Sequence, residues 1–239
     1  MLFLLPLLVS LAQSQFDAAS VKPNTSGSNL VSGRMPSGGA FTATNSSLKM
    51  LISMAWKLKA FEIQGGPAWL TTDRFDIAAK SANPNLTDEQ FRLMLQDLLA
   101  DRFHLTTHRE TRTVPIYSLL PAKGGLKLPH ADPAPCPKPA TACGSFGLED
   151  TLMEARGVPM SSLVHGLSTL LERPVVDNTG FPGTFDAQLV FAPLNDAKPD
   201  SKLPTLFTVI QEQLGLRLES GKGPSEILVI DHVERPSEN

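Results

Sequence analysis

The stretch TDEQFRLMLQDLLADRFHLTTHRETRTVPIYSLL, residues Thr87–Leu120, predicts a capped amphipathic helix followed by two strands. Thr87 and Gln90 form a T-x-x-Q capping box, in which each side chain bonds a backbone amide at the start of the helix. From residue 103 to residue 108 the helical period changes to alternation, which is typical of a strand. The apolar residues that recur at the spacing of one helix face are Phe91, Met94, Leu95 and Leu98.

A shorter version of this pattern returns near the C-terminus as LPTLFTVIQEQLGLRLESGKGPSEILVIDHV, residues Leu203–Val233. Ser46-Ser47 and Ser161-Ser162 each open a predicted helix, and the motif RFDI at residues 74–77 matches TFDA at residues 184–187. The matched positions are 115 and 110 residues apart. The pattern therefore predicts an α+β fold of two similar α/β half-repeats, each with two helices packed on a mainly antiparallel sheet.

Four segments follow from this pattern and from local composition. Residues 1–14 carry no charge, are rich in Leu, Phe and Val, and end in the A-x-S sequence of a cleavage site. They are too short to span a membrane and are typical of a secretory signal; a buried N-terminal strand or helix is the alternative. The predicted segments are a signal peptide at 1–14, a first half at 15–120, a linker at 121–145 and a second half at 146–239. Export places the protein in the periplasm or outside the cell, with no membrane span in the mature chain.

The predicted linker contains five prolines between Pro129 and Pro139, and both cysteines of the chain, Cys136 and Cys143. Such a composition favours irregular structure. Because exported proteins meet an oxidising compartment, we expect a disulfide between Cys136 and Cys143. Two thiols without a nearby histidine are a poor zinc site, since zinc normally takes four ligands.

Composition excludes several kinds of partner. The net charge is -3 and the pI is about 6.0, so no basic excess indicates nucleic acid. Aromatic residues make up 6% of the chain, with a single tyrosine, which argues against a glycan-binding platform built on aromatic stacking. The remaining partner classes are an envelope protein, a peptide or a small ligand.

Two groups of residues invite a catalytic or metal-binding interpretation. His104, His108 and Glu110 resemble metal ligands, but residues four apart in a strand lie about 13 Å apart, too far to share one ion. Asp76 and Asp186 occupy equivalent positions in the two predicted halves, each after a phenylalanine. In an alternating strand each of these carboxylates is expected to face solvent or to cap a neighbouring turn.

A nucleophilic set could be assembled from residues of the second half. The serines of this set lie where a helix N-cap belongs, and the chain contains no G-x-S-x-G motif. The Gly-Gly pairs lack the spacing of phosphate-binding loops. The sequence therefore predicts no catalytic residue, no cofactor and no metal. The set in question is Ser161, Ser162, His165 and Asp177.

Several long phrases resemble a known family. They are GGPAWLTTDRFDIAAK (65–80), LLADRFHLTTHRETRTVPIYSL (98–119), RPVVDNTGFPGTFDAQLVF (173–191) and LVIDHVERPSEN (228–239). The chain resembles the soil-associated family of exported bacterial proteins, which is expanded in acidobacteria and whose domain has no known function. Similar domains occur attached to membrane metallopeptidases of the antibiotic-sensor type, but this chain lacks their H-E-x-x-H motif. The resemblance implies export and implies no catalytic residue.

These observations favour a non-enzymatic binding or interaction module of the cell envelope. An extracytoplasmic hydrolase with an unrecognised site is the first alternative. A sensor or assembly domain that pairs with an envelope protein through an exposed sheet edge is the second, since peptides bind many domains by strand addition.

Overall fold

The computed structural model describes residues 15–28, 30–128, 144–149, 151–194 and 203–236. Residues 1–14 and the two cysteines, Cys136 and Cys143, lie outside the described residues. The chain splits into two compact units: unit 1 comprises residues 1–110 and 226–239, and unit 2 comprises residues 111–225.

The two units differ from the predicted halves 15–120 and 146–239. The division cuts two long strands and returns the end of the chain to unit 1. The physical reason is packing, because Leu228 and Ile230 are buried in the same hydrophobic cluster as the helices of unit 1. Such long-range packing is invisible to local sequence patterns.

Unit 1 combines an antiparallel sheet of order β1-β5-β3-β2 with helices. Its short strand β4 pairs in parallel with residues 228–230. A 3₁₀ helix spans Ala60–Glu62. The other elements are β1 Ala18–Pro23, β2 Ser32–Ser37, β3 Ala40–Ser46, α1 Leu48–Trp56, β4 Ile63–Gly65, α2 Trp69–Thr72, β5 Phe75–Lys80, α3 Asp88–Phe103 and the start of β6 Thr106–Pro121.

The helix starts in unit 1 follow from side-chain capping. The predicted capping box is confirmed: the Thr87 hydroxyl accepts from the Gln90 amide, and the Gln90 side chain accepts from the Thr87 amide. Ser47 likewise caps α1 by accepting from the Met50 amide. The predicted strand start at Phe103 is wrong, because Phe103 is the last residue of α3 and His104 ends the helix with a φ of 48°.

The core of unit 1 lies under one face of α1 and α3. Leu98, which the periodicity placed on the buried face, is 6% exposed. Aromatic rings of several elements also pack in this core, including an edge-to-face pair of Phe75 and Phe103 at 5.1 Å. The buried residues of α3 are Phe91, Met94, Leu95, Leu98, Leu99 and Phe103.

Unit 2 contains a smaller antiparallel sheet of order β10-β8-β7. Its short strand β9 pairs in parallel with residues Tyr117–Leu119 of β6. The third sheet of the chain has the order β4-β11-β6-β9. The elements of unit 2 after β6 are β7 Ser145–Leu148, β8 Leu152–Pro159, α4 Met160–Leu170, β9 Val175–Asp177, β10 Thr184–Val190, α5 Leu206–Leu214 and the start of β11 Leu216–His232.

Three details of the helices in unit 2 can be compared with the sequence. Helix α4 begins at Met160, with Pro159 at the N-cap position. The expectation that Ser161 and Ser162 cap this helix is therefore wrong. Helix α5 is capped by the Thr205 hydroxyl. Gly215 ends α5 in the left-handed conformation with a φ of 63°, which suits a C-cap glycine.

The two long strands replace four predicted ones. β6 runs for 16 residues and β11 for 17 without interruption, where the sequence indicated a pair of strands in each place. Gly223 in the middle of β11 marks a close approach and not a turn, because a Cβ atom there would lie 2.6 Å from Cδ1 of Ile116.

Within the described ranges the fold has five α-helices and eleven strands in three mainly antiparallel sheets, so the predicted α+β class is confirmed. None of the helices in these ranges is both long enough and apolar enough to cross a membrane.

Candidate functional site

The carboxylate of Asp76 holds an irregular point in the neighbouring strand. One oxygen, Oδ1, accepts from the backbone N–H of Asn45 at 2.9 Å and from the Asn24 side-chain amide at 2.8 Å. Asn45 has a φ of 56° and lies where the register between β3 and β5 shifts. Asp76 therefore holds the backbone of β3 at its register shift against β5.

Asp186 makes the same kind of contact inside unit 2. Its Oδ1 accepts from the backbone N–H of Gly157 at 2.6 Å. Gly157 has a φ of 59° and lies in the β8 segment opposite the register shift between Phe185 and Ala187. One residue of β10, Asp186, there opposes two of β8, Arg156 and Gly157, so the β-bulge lies in β8 and β10 stays regular.

The hydrogen bonds of β10 show which of its backbone groups face β8. The Phe191 amide donates to the Thr151 carbonyl at 3.0 Å, and Leu189 is opposite Met153. Because antiparallel partners alternate between hydrogen-bonded and non-bonded pairs, Leu189 and Ala187 also bond to β8. On the side of β10 that faces away from β8, the Ala192 amide donates to the Pro204 carbonyl. The backbone groups that point away from β8, here called the open edge, belong to Asp186, Gln188 and Val190.

In unit 1, the strand that contains the Phe-Asp pair is β5, and β1 pairs along its outer edge. The Asn24 amide donates to the Arg74 carbonyl at 2.8 Å, and Lys22 is opposite Asp76 in β5. By the same alternation, the backbone groups of Asp76 and Ala78 face β1. Within the described residues of unit 2, β10 pairs with β8 alone.

The side chains beside the open edge differ on the two faces of β10. On the core side, Ala187 is half-buried, whereas Ile77 at the matching place in β5 is 2% exposed beneath β1. On the outer side, Asp186 is exposed and the Gln188 amide donates to Glu154 at 3.0 Å. The outer face is therefore polar and the inner face is apolar.

The histidines and Glu110 do not form a metal centre. His104 lies at the C-cap of α3, and His108 contacts Asp231 through Nδ1 at 2.8 Å. His104 lies 4.0 Å from Glu234, through Nε2. Across the part of the chain that the structure describes, no three His, Cys, Asp or Glu residues are placed to hold a metal ion.

The residues of the rejected nucleophilic set lie in α4 and at the end of β9. Ser161 and Ser162 lie in the first turn of α4. Asp177 accepts from the amide and the hydroxyl of Thr179, at 2.9 and 2.7 Å. His165 is exposed, and its carbonyl accepts from the Thr169 hydroxyl. These contacts stabilise a loop and a helix.

Residues 49–233 match the family described as protein of unknown function (DUF3738), which is more than half of the chain. The chain belongs to the DUF3738 family. The expected domain of unknown function is thereby confirmed. No curated protein and no solved structure matched the chain.

Unit 1 of the DUF3738 chain contains a cleft between β1 and α3. Its volume is about 370 Å³, and Phe16, Met94, Leu98 and Arg102 are among the residues that line it. The Arg102 guanidinium there donates to the Ala19 carbonyl and pairs with Asp101 at 3.1 Å. The Arg102 guanidinium thus links α3 to β1.

One lysine of the DUF3738 chain has a displaced pKa. Burial lowers the pKa of the Lys59 ammonium below its ordinary value, and the charge of Glu62 acts in the opposite direction. The Glu62 carboxylate also accepts from the Lys59 amide at 2.7 Å. This pair caps the 3₁₀ helix of unit 1.

Sequence reasoning missed β7 and β8 of the DUF3738 chain, and with them the partner of β10. The buried positions Met153 and Ala155 alternate, but after the bulge at Gly157 the next buried positions are Val158 and Met160. The change of parity hides the strand from a search for period two. A usable signal was the position of Gly157, which like Asn45 lies two residues before the N-cap of a helix.

Proposed function

We propose that this protein is an exported, non-enzymatic binding module of the cell envelope that recruits its partner by β-strand addition to unit 2. The observation that carries the proposal is the open edge of β10. The corresponding strand of unit 1, β5, holds β1 in antiparallel register from Ala18 opposite Lys80 to Pro23 opposite Phe75. Extended peptides bind exposed sheet edges in the same way.

Matching contacts in the two units support the comparison of the two edges. Each unit has a Phe-Asp pair whose aspartate accepts a hydrogen bond from a backbone amide of the neighbouring strand. The donor is Asn45 in unit 1 and Gly157 in unit 2, and both donors have a positive φ. Each unit also has a short strand after a helix, and Ile63 pairs with Leu228 where Val175 pairs with Tyr117. The matched residues are 110 to 112 residues apart, close to the repeat in the sequence.

The N-terminus provides the first test of export. The uncharged apolar run at residues 1–14 and the resemblance to exported soil-associated proteins support cleavage after Ser14. We expect N-terminal sequencing of the native protein to begin at Gln15, and intact mass to agree. A cytoplasmic protein that retains Met1 would contradict export.

The cysteines provide a second test. An oxidising compartment favours a disulfide between Cys136 and Cys143, which closes a short loop. Because loop closure contributes through chain entropy, this bond should stabilise the protein only modestly. Peptide mapping without reductant should recover one cross-linked peptide from exported material, and two free thiols there would refute the bond.

The binding function is tested by cross-linked capture from the native envelope followed by mass spectrometry. We expect the same partner to be enriched in independent preparations, and no partner in any preparation would refute the binding function. A hydrolase screen on the purified protein tests the alternative. Turnover that disappears on replacing Asp76, Asp186 or His104 by alanine would show an enzyme instead.

A further inference from the structure

We infer that the open edge of β10 takes an extended peptide that runs antiparallel to β10, with two apolar side chains toward the core and a cationic side chain opposite Asp186. This inference rests on the proposed binding function and names the chemistry of the partner. Three observations carry it: the direction of the backbone groups, the way in which β1 occupies β5, and the charge of the outer face.

The backbone of β10 is suited to accept a strand. Its outward N–H and C=O groups, at Asp186, Gln188 and Val190, recur at every second residue, as an antiparallel partner requires. No proline lies between Thr184 and Val190, and the bulge of this sheet lies in β8. Exposed edges are normally blunted by bulges, prolines or lysines, and β10 has none of these.

The register of β1 on β5 indicates where the apolar side chains of the peptide belong. Val21 is opposite Ile77, is 1% exposed and belongs to the hydrophobic cluster of unit 1. The positions of β10 that match residues 77 and 79 of β5 are Ala187 and Leu189, whose side chains face the core. Because Ala187 is small and half-buried, an apolar side chain opposite it would gain contact area. A second apolar side chain belongs two residues further along the peptide.

The outer face gives the charge of the peptide. In unit 1, Lys22 is the residue opposite Asp76. Asp186 at the matching place is exposed, and Glu154 and Arg156 of β8, whose charges are opposite, line the same region. Arg156 lies one strand further in, on β8, so the charge at the edge itself is that of Asp186. A lysine or arginine in the peptide complements this charge.

The probe for this site is a synthetic peptide with the sequence of the β1 segment, QFDAASVKPN (residues 15–24), labelled with fluorescein. Fluorescence anisotropy would measure its binding to the exported form of the chain and to two variants. Gln188→Pro removes one outward N–H at an edge position that tolerates proline. Gln188→Ala keeps this N–H but loses the same side-chain bond to Glu154. We expect Gln188→Pro to weaken binding about tenfold or more and Gln188→Ala less than about threefold.

A second pair of changes tests the charge. In the protein, Asp186→Asn keeps an oxygen that can accept from the Gly157 amide but removes the charge. In the peptide, norleucine replaces the lysine. Each single change should weaken binding about twofold to fivefold at low salt, and the two together little more than either alone. Fully additive effects would show that the peptide cation binds elsewhere.

Other occupants of the edge have distinct outcomes. Equal binding to the Gln188→Pro and Gln188→Ala variants would overturn the site, because a peptide that displaces β1 from β5 is insensitive to this difference. Binding that appears only after residues 129–143 are replaced by a Gly-Ser linker would assign the edge to the chain itself. If Gln188→Pro does not fold, a peptide N-methylated at alternate residues removes the same hydrogen bonds, and unchanged affinity would also overturn the site.

The envelope capture separates binding itself from the place where binding occurs. A partner captured equally by the wild-type chain and by the Gln188→Pro variant would leave a binding module standing, but it would refute strand addition at the edge and the peptide chemistry inferred for it. A partner lost from Gln188→Pro but kept by Gln188→Ala supports both.

Discussion

Leu99→Ala should lower the free energy of unfolding by about 2–5 kcal/mol, because it leaves a cavity in the core of unit 1. Leu99 is 0% exposed and lies in the middle of α3, in one hydrophobic cluster with residues of α1 and β5. Close packing leaves little room for the neighbours to fill the space of the lost side chain. Urea denaturation followed by circular dichroism would measure the change.

The matched control is Leu93→Ala on the same helix. Leu93 is 50% exposed, so its truncation removes little buried surface and replaces one good helix former by another. We expect a change within about 0.5 kcal/mol. Equal losses for Leu99→Ala and Leu93→Ala would mean that the buried face of α3 has been assigned wrongly.

Local chemistry explains why the starts of α1 and α3 and the end of α5 could be predicted from the sequence. The Thr87 and Gln90 side chains bond amides only three residues away, and Ser47 caps α1 over the same distance. Gly215 ends α5 through its own backbone conformation. Interactions of this range leave a direct trace in the order of the residues, and so does the 3.6-residue period of α3.

The strands were harder because their limits depend on distant partners. β11 runs through Gly221, Gly223 and Pro224, a stretch with the composition of a turn, because it is held within a sheet. β8 was missed because a bulge reverses its alternation. Assignment of the last residues to unit 1 depends on Leu228 and Ile230, whose burial is decided by residues more than 100 positions away.

The candidate site was predictable only in part. The sequence matched Asp76 to Asp186 through the repeated Phe-Asp pair and left two roles open for each carboxylate, facing solvent or capping a turn. In the structure, each carboxylate accepts from a backbone amide beside a register shift of the neighbouring strand. The open edge of β10 could not be predicted, because an edge is recognised only when the strands that pair with β10 are known. Strand β8, which pairs with β10, was missed. That β1 covers the edge of β5 is likewise visible only once the strand pairing is known.

Gly215→Ala should destabilise unit 2 by about 2–4 kcal/mol. A left-handed conformation costs a residue with a Cβ atom about 1–2 kcal/mol, and Gly215 has a φ of 63°. The added Cβ would also overlap the Gly125 carbonyl oxygen and lie 2.8 Å from the Lys127 amide nitrogen. Those contacts belong to a loop whose Lys127 amide donates to the Leu214 carbonyl at 2.9 Å, so relief of the overlap would weaken the cap of α5.

Gly124→Ala in the same loop is the control for this change. A Cβ atom at Gly124 meets nothing within 4 Å, and the residue does not have a positive φ. Alanine there restricts the unfolded chain, so the variant should be neutral or more stable by about 0.4–1 kcal/mol. Thermal unfolding of both variants gives the comparison. If Gly215→Ala unfolds at the same temperature as Gly124→Ala, the loop at 122–127 does not pack against the end of α5, and the cap assigned to Gly215 is wrong.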